Sequence, residues 1–168
     1  SYGTSGIATS NHLAQEELCE KENAPMLHVP FRGTSENITA LLGKQIDCIA
    51  NSNAWQPAVE AGQLRLLAVW TRTRLRSFPD TPTLLDLGYG MSVTSPYGVA
   101  GPKGMDPEVT EFLHQAFHRL QMSEPLQAYM ARNDMPDEYL GPAAYTAFAR
   151  ERAVYEDRMV KRLNLSID

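Results

Sequence analysis

Short apolar runs alternate with amphipathic segments along the first 70 residues. A strand is predicted at the start of the chain, and further buried strands are predicted at 26–31, 45–50 and 64–70. Apolar residues recur at helical spacing at 11–22, and a stripe of Ile38, Leu41 and Leu42 predicts a second helix that ends before Gly43. A short helix is predicted around Ala58 and Val59. Thr34 or Ser35 is the expected N-cap of the second helix. Alternating strands and helices predict an α/β fold with a mainly parallel sheet.

The pattern changes after Thr71. Residues 72–83 are irregular and rich in proline, and 92–100 are predicted to be extended. Asp106 is a suitable N-cap for a long amphipathic helix with Pro107 at its first position. A second helix follows Ser123, and a third is expected at about 143–163. The apolar stripe of the first of these helices comprises Val109, Phe112, Leu113, Ala116, Phe117 and Leu120.

Three polar turns follow the first three predicted strands, at 4–10, 32–35 and 51–53. In an open parallel sheet, ligands bind at the carboxyl ends of the strands, where these turns would meet. The first turn combines Gly3 and Gly6 with several hydroxyls and runs into a helix start, whose free N–H groups favour an anion such as a carboxylate. His12, in the first helical turn, is either a donor to the ligand or a residue that packs locally.

Composition narrows the possible functions. The 168 residues suffice for one substantial domain, or for one lobe and part of another. A net charge of −5 argues against nucleic-acid binding, and no apolar run reaches the roughly 20 residues of a membrane span. Cys19 and Cys48 match neither a disulfide framework nor a metal site.

The catalytic motifs that were considered are not matched. Gly3-Thr4-Ser5-Gly6 lacks the residue that a nucleophile elbow requires between serine and the second glycine, and its glycine spacing does not fit a dinucleotide loop. His114 and His118 share a helix face, which suits either a metal site or two surface histidines. The sequence therefore predicts no enzyme, no cofactor and no metal.

Several blocks, in conserved order from residue 1 to about 105, resemble the receptors of tripartite tricarboxylate transporters, the Bug-type extracytoplasmic solute receptors. The blocks lie at 2–13, 28–33, 43–47, 61–69, 78–83 and 94–104, and the last two include Phe78-Pro79-Asp80-Thr81-Pro82-Thr83 and Tyr97-Gly98-Val99-Ala100-Gly101-Pro102-Lys103-Gly104. The resemblance implies a type II periplasmic-binding-protein-like fold. Residues 1–95 would form ligand-binding lobe 2, and 96–168 would supply a return strand and C-terminal helices that belong to lobe 1. The rest of lobe 1 would be absent from this chain.

The resemblance also implies a function. The receptor would capture a small carboxylate in the periplasm and deliver it to membrane transporter subunits, without nucleic acid or cofactor. Its ligand contacts would come from the three turns, and together with His12 the candidate residues are Thr4, Ser5, Gly6, Ala8, Thr9, His12, Arg32, Gly33, Thr34 and Asn51. Ala8 stands where the family usually has glycine, and the turn at Asn51 departs from the commoner acidic sequence.

Two other functional classes remain as alternatives. The effector-binding domain of a transcription regulator shares this lobe architecture and would carry a helix-turn-helix segment upstream. An enzyme on this fold would need an acid–base pair, which the sequence does not offer. Because the apolar helix faces of the second half would lack the first-lobe sheet, we also expect the chain to self-associate.

Overall fold

The computed structural model describes residues 1–94 and 97–165. It divides into two compact units, one formed by Ser1–Ser95 and Glu156–Asp168 and the other by Pro96–Tyr155. The assignment of these units to the lobes of a receptor stays a prediction. The predicted extended segment at 92–100 includes residues 95 and 96, which lie outside the described residues.

A three-stranded parallel sheet forms the centre of the first unit. Its strands are β1 (Tyr2–Thr4), β2 (His28–Pro30) and β3 (Cys48–Ile49), in the order β2-β1-β3. Tyr2 pairs with both His28 and Cys48, so the three strands are in parallel register. The predicted α/β fold with a parallel sheet and flanking helices is confirmed.

Two helices cover opposite faces of β1. The helices are α1 (Ser10–Lys21) and α2 (Thr34–Leu42). The Tyr2 hydroxyl donates to Glu16 of α1, whereas Gly3 lies against Asn37 of α2. Since neighbouring residues of a strand face opposite sides, the three buried residues of β1 bring both helices onto the sheet.

A short helical segment follows β3. It consists of a 3-10 turn (Asn53–Trp55) and α3 (Gln56–Glu60), which matches the short helix predicted around Ala58. The C-terminal end of α6 (Pro142–Arg162) belongs to this unit, and there Arg162 pairs with Glu20 of α1 at 2.6 Å.

Two local predictions are wrong. The run 64–70 forms no strand, and there only Val69 makes a β-bridge, to Thr83. Its hydrogen bonds run from the Val69 N–H to the Pro82 carbonyl and from the Leu84 N–H to Val69. Pro82 has no N–H with which to extend a ladder, so pairing stops. The N-cap of α2 is Gly33, which has no side chain that could cap the helix, and Thr34 is the first helical residue with its hydroxyl bonded to Asn51.

The second unit is helical. It contains α4 (Pro107–Gln121), α5 (Glu124–Arg132) and most of α6, close to the predicted bounds. Asp106 caps α4 by accepting from the Glu108 N–H at 2.7 Å, as predicted. Within the described ranges, no helix has the length and apolarity needed to cross a membrane.

Candidate functional site

The three polar turns leave the same edge of the sheet. Each follows the carboxyl end of a parallel strand, and the turn after β1 lies between the other two because β1 is the central strand. The first two turns lead directly into α1 and α2, whose N-termini therefore also lie at this edge. Helix N-termini carry partial positive charge and free N–H groups, so the edge favours an anion.

Hydroxyl groups fix the first turn from within. Thr4 is fully buried, and its hydroxyl donates to the Gly6 carbonyl at 2.9 Å. The Thr9 hydroxyl donates to the same carbonyl at 3.0 Å and accepts from the His12 N–H at 3.3 Å as the N-cap of α1. Gly6 has φ 153, a conformation that a side chain disfavours. The turn is therefore held in one shape by its own side chains.

Ala8 and His12 form a second internal bond. The Ala8 N–H donates to Nδ1 of His12 at 3.0 Å, and Ala8 has φ 58, in the left-handed region. His12 is buried, with 2% of its surface exposed. Of the two roles considered for His12, the structure thus provides local contacts within the turn.

Aromatic rings stack beneath this turn. The His12 and His28 rings lie 3.7 Å apart at 15°, and His28 stacks on Tyr2 at 5.0 Å. Burial and then the neighbouring His12 lower the pKa of His28 to about 4, and burial lowers the pKa of His12 against the opposing effect of Glu16. Burial and the bond to Glu16 raise the pKa of Tyr2. At neutral pH both histidines are uncharged.

A direct contact joins the second and third turns. The Thr34 hydroxyl donates to Oδ1 of Asn51 at 3.1 Å, and the same oxygen accepts from the Ser52 N–H at 2.9 Å. Nδ2 of Asn51 is buried without a hydrogen-bond partner in the described structure. Arg32 is exposed, and its backbone N–H donates to the Glu36 carboxylate at 3.3 Å.

The predicted site residues thus lie in three environments. Thr4 and His12 are buried beneath the first turn, and Arg32 is exposed. The others are partly exposed at the sheet edge: Ser5, Gly6, Ala8, Thr9, Gly33, Thr34 and Asn51. Their contact with a ligand stays a prediction.

Three residues of the cluster under the turn were not singled out from the sequence: Tyr2, Glu16 and His28. The sequence contains spacings that place these residues on common faces, but the cluster can be recognised only when the strand register is known. His12 and Glu16 have the i, i+4 spacing of one helix face, and Tyr2 and Thr4 share one face of β1. Only the pairing of Tyr2 with His28 brings His28 to them.

An open cleft of about 380 Å³ borders this cluster on the outside. It is lined by Ile7, His12, Glu16, His28, Leu163, Asn164 and Leu165. The two histidines and the carboxylate thus line a cavity that is open to solvent.

The histidine pair of the second unit has an internal partner. Nδ1 of His114 lies 2.9 Å from the Tyr139 hydroxyl, and the rings of His118 and Tyr139 lie 4.9 Å apart. Across the described residues, no group of three or more histidine, cysteine, aspartate or glutamate side chains could hold a metal ion.

Known proteins similar to the chain share both its sequence and its fold. It is 39% identical over 165 residues to the UPF0065 protein in the gbd 5' region of Cupriavidus necator, covering 98% of this chain and 50% of that protein. A TctC solute binding protein from Polaromonas, solved without ligand, superposes with a TM-score of 0.73 at 27% identity, covering 96% of this chain and 56% of the other. An R. palustris protein solved with adipate superposes with a TM-score of 0.83 at 22% identity, covering 95% and 54%, which shows the fold alone.

The chain spans about half the length of these proteins. The model of the tripartite tricarboxylate transporter family receptor, TctC, matches residues 1–165. The match includes all three strands, the three turns and the helices that follow them. The chain belongs to the tripartite tricarboxylate transporter receptor family.

Proposed function

We propose that the chain is the ligand-binding part of an extracytoplasmic receptor that captures a small carboxylate for a tripartite carrier. The observation that carries the proposal is the meeting of three polar turns and two helix N-termini at one edge of a parallel sheet. Backbone N–H groups and the positive ends of helices bind carboxylates without a metal or cofactor. The solute-binding role of the family agrees with this chemistry.

The proposed contacts divide between binding and positioning. Ser5, the Thr9 backbone and the first amides of α1 and α2 would face the carboxylate, and Arg32 would supply positive charge beside them, whereas the Thr9 hydroxyl is already bonded within the turn. Thr4 and His12 would act from beneath, because their polar atoms already bond within the turn. The Thr34–Asn51 pair would hold the second and third turns at a fixed separation.

Adipate is a suitable probe, because it is present in the R. palustris neighbour. We expect adipate to change the NMR amide shifts of the three turns, whereas the uncharged diamide of the same length should not. Weak binding is sufficient for this measurement, so one wall of a cleft can be tested by itself. Shift changes elsewhere, or equal changes with the diamide, would contradict a carboxylate site at this edge.

A charge variant tests the role of Arg32. Hydrogen bonds to charged groups contribute about 1.5–3 kcal/mol, and exposure reduces this, so Arg32→Gln should weaken adipate binding by about tenfold. Arg65→Gln is the matched control, since Arg65 is also exposed in the same unit but lies in none of the three turns that directly follow the strands. Equal effects of the two variants would assign the loss to net charge alone.

A further inference from the structure

The Ala8 amide points away from the edge at which an anion is expected to bind. Its N–H donates inward to Nδ1 of His12, although Ala8 belongs to the turn between β1 and α1. The left-handed conformation of Ala8 sets this direction, at φ 58. The peptide group of Ala8 is therefore held by a bond to a side chain in the first turn of α1.

The hydrogen bonds define the protonation of both stacked rings. Nδ1 of His12 accepts a bond, so the neutral ring carries its proton on Nε2, which lies 3.8 Å from Oε1 of Glu16. The Thr4 hydroxyl donates its hydrogen to the Gly6 carbonyl, so its oxygen must accept from Nε2 of His28 at 2.7 Å. Both histidines are therefore Nε2–H tautomers.

Burial and the mutual repulsion of two cations favour the neutral state of the pair, against the opposing effect of the Glu16 carboxylate on His12. The rings lie 3.7 Å apart, so one cation would repel a second. The other titratable groups that face the pair are the Tyr2 hydroxyl on β1 and the Glu16 carboxylate on α1. The C-terminal residues that line the adjoining cleft, Leu163–Leu165, have no titratable side chain.

We infer that His12 is a positioning residue of the binding turn: as a neutral Nε2–H tautomer stacked on His28, it holds the Ala8 N–H inward and so fixes which amides face the ligand. A protonated His12 would present a second N–H to the Ala8 N–H, and the turn would have to change. The consequence for the ligand rests on the proposed function, whereas the state of the turn does not.

The first test uses the unmodified chain. Nitrogen-15 NMR of the imidazoles at neutral pH distinguishes the two tautomers without any ligand. We expect His12 and His28 both to carry the proton on Nε2. An Nδ1–H tautomer at His12, or a charged His12 at neutral pH, would overturn the inference.

The second test compares two amides that place an acceptor differently. In His12→Asn the side-chain oxygen can take the place of Nδ1, whereas in His12→Gln the amide extends toward the position of Nε2. Hydrogen exchange of the Ala8 amide should stay near the unmodified rate in His12→Asn. It should be about tenfold faster in His12→Gln, as expected for the loss of one ordinary hydrogen bond.

The two variants also separate this inference from the proposed function. Equal protection of Ala8 in His12→Gln and in the unmodified chain would overturn the positioning role, whatever the ligand data. The expected exchange pattern without any shift change on adding adipate would keep the positioning role and count against the carboxylate site. If His12→Gln does not fold, the positioning role is tested by the histidine tautomers of the unmodified chain and by the Ala8 amide protection in His12→Asn. An Nδ1–H tautomer at His12, or lost protection in His12→Asn, would then overturn it.

Discussion

The Thr34 hydroxyl donates a hydrogen bond to Oδ1 of Asn51 over 3.1 Å, and this contact connects the turn after β2 with the turn after β3. The two strands lie on either side of β1, so the bond spans the edge of the whole sheet. Thr34 is the first residue of α2, and the N-cap Gly33 has no side chain that could cap the helix. The Thr34 hydroxyl is thus available to hold two turns together.

Thr34→Val should therefore affect the site more than the fold. The variant keeps the shape of the side chain and removes the bond, so we expect unfolding free energy to fall by about 1 kcal/mol. Adipate binding should weaken as the turns lose their fixed separation. Thr39→Val is the control, because the bond of its hydroxyl in the described part of the chain lies within α2, to the Ser35 carbonyl at 2.9 Å. Chemical denaturation and NMR titration of both variants would reveal whether they differ; equal binding losses would contradict the role of Thr34.

Gly3 and Gly33 should respond differently to alanine. A Cβ on Gly3 would meet Oδ1 of Asn37, and it would lie 2.6 Å from Cδ1 of Ile46 in the centre of the sheet. Overpacking of this kind costs about 1–3 kcal/mol, so Gly3→Ala should lower the midpoint of thermal unfolding. Gly33 has open space around its Cβ position and an extended φ of 166, so Gly33→Ala should be close to neutral.

A second substitution checks the cause. Asn37 is fully buried, and neither atom of its amide has a partner in the described structure. Adding Asn37→Ala to Gly3→Ala should recover part of the lost stability, because it removes the atom nearest to the new Cβ. Additive losses in the double variant would mean that the clash lies elsewhere.

Ala8→Gly should stabilise the chain. Alanine at φ 58 costs about 1–2 kcal/mol relative to glycine, and the greater freedom of glycine in the unfolded chain offsets about half of the gain. We expect a net increase of up to about 1 kcal/mol by urea unfolding. Ala61→Gly is the control. Ala61 has φ −77, where alanine is not strained, so the same change should destabilise the chain. A loss of stability in Ala8→Gly would contradict the strain assigned to the turn.

The sequence predicted the helices better than the strands. Apolar spacing located α1 and α2, and the Asp106 cap located the start of α4, each to within a residue or two, since these signals are local. The run at 64–70 is also apolar, like the runs that contain β2 and β3, but it does not form a strand, and Leu67 is 66% exposed. An apolar run shows a tendency toward burial, whereas a strand also requires a neighbour with free N–H and carbonyl groups.

The candidate site likewise has one part that local sequence signals predict and one part that depends on contacts between distant segments. Polar turns after successive strands indicated the edge, because parallel topology brings them together without further information. The stack of Tyr2, His28 and His12 depended on a register between segments 26 residues apart, from Tyr2 to His28. The sequence therefore predicted that the three turns meet at one edge but not the cluster beneath them, and ligand binding at that edge stays a prediction.

Acid should destabilise the chain through the stacked histidines, His12 and His28. The pKa of His28 is lowered from 6.5 to about 4, so between these values the unfolded chain binds more protons than the folded one. Unfolding free energy should thus fall as pH decreases through this window, and the effect should be complete below about pH 4. The lowered pKa of His12 acts in the same direction.

His28→Gln isolates this contribution. Its amide can still donate to Thr4 but does not titrate, so the decline in urea stability with falling pH should be less steep than in the unmodified chain. His118→Gln, at an exposed histidine of α4 outside the stacked pair, is the control. If the urea stability of His28→Gln fell with pH as steeply as that of the unmodified chain, the uncharged histidine pair would not be the cause of the acid destabilisation.

The apolar face of α4 predicts self-association of the chain. Phe112 is 66% exposed and Leu120 53%, and Val109 lies on the same helix face with nearly half of its surface exposed. Contiguous apolar patches of more than a few hundred Å² usually become interfaces, because covering them removes apolar surface from water. Sedimentation velocity should therefore show an average mass that rises with concentration. Phe112→Glu combined with Leu120→Glu should restore a monomer, whereas Leu27→Glu, at an exposed leucine of the first unit, should leave association intact. A chain that stays monomeric at every concentration would show that this face is stable in water by itself.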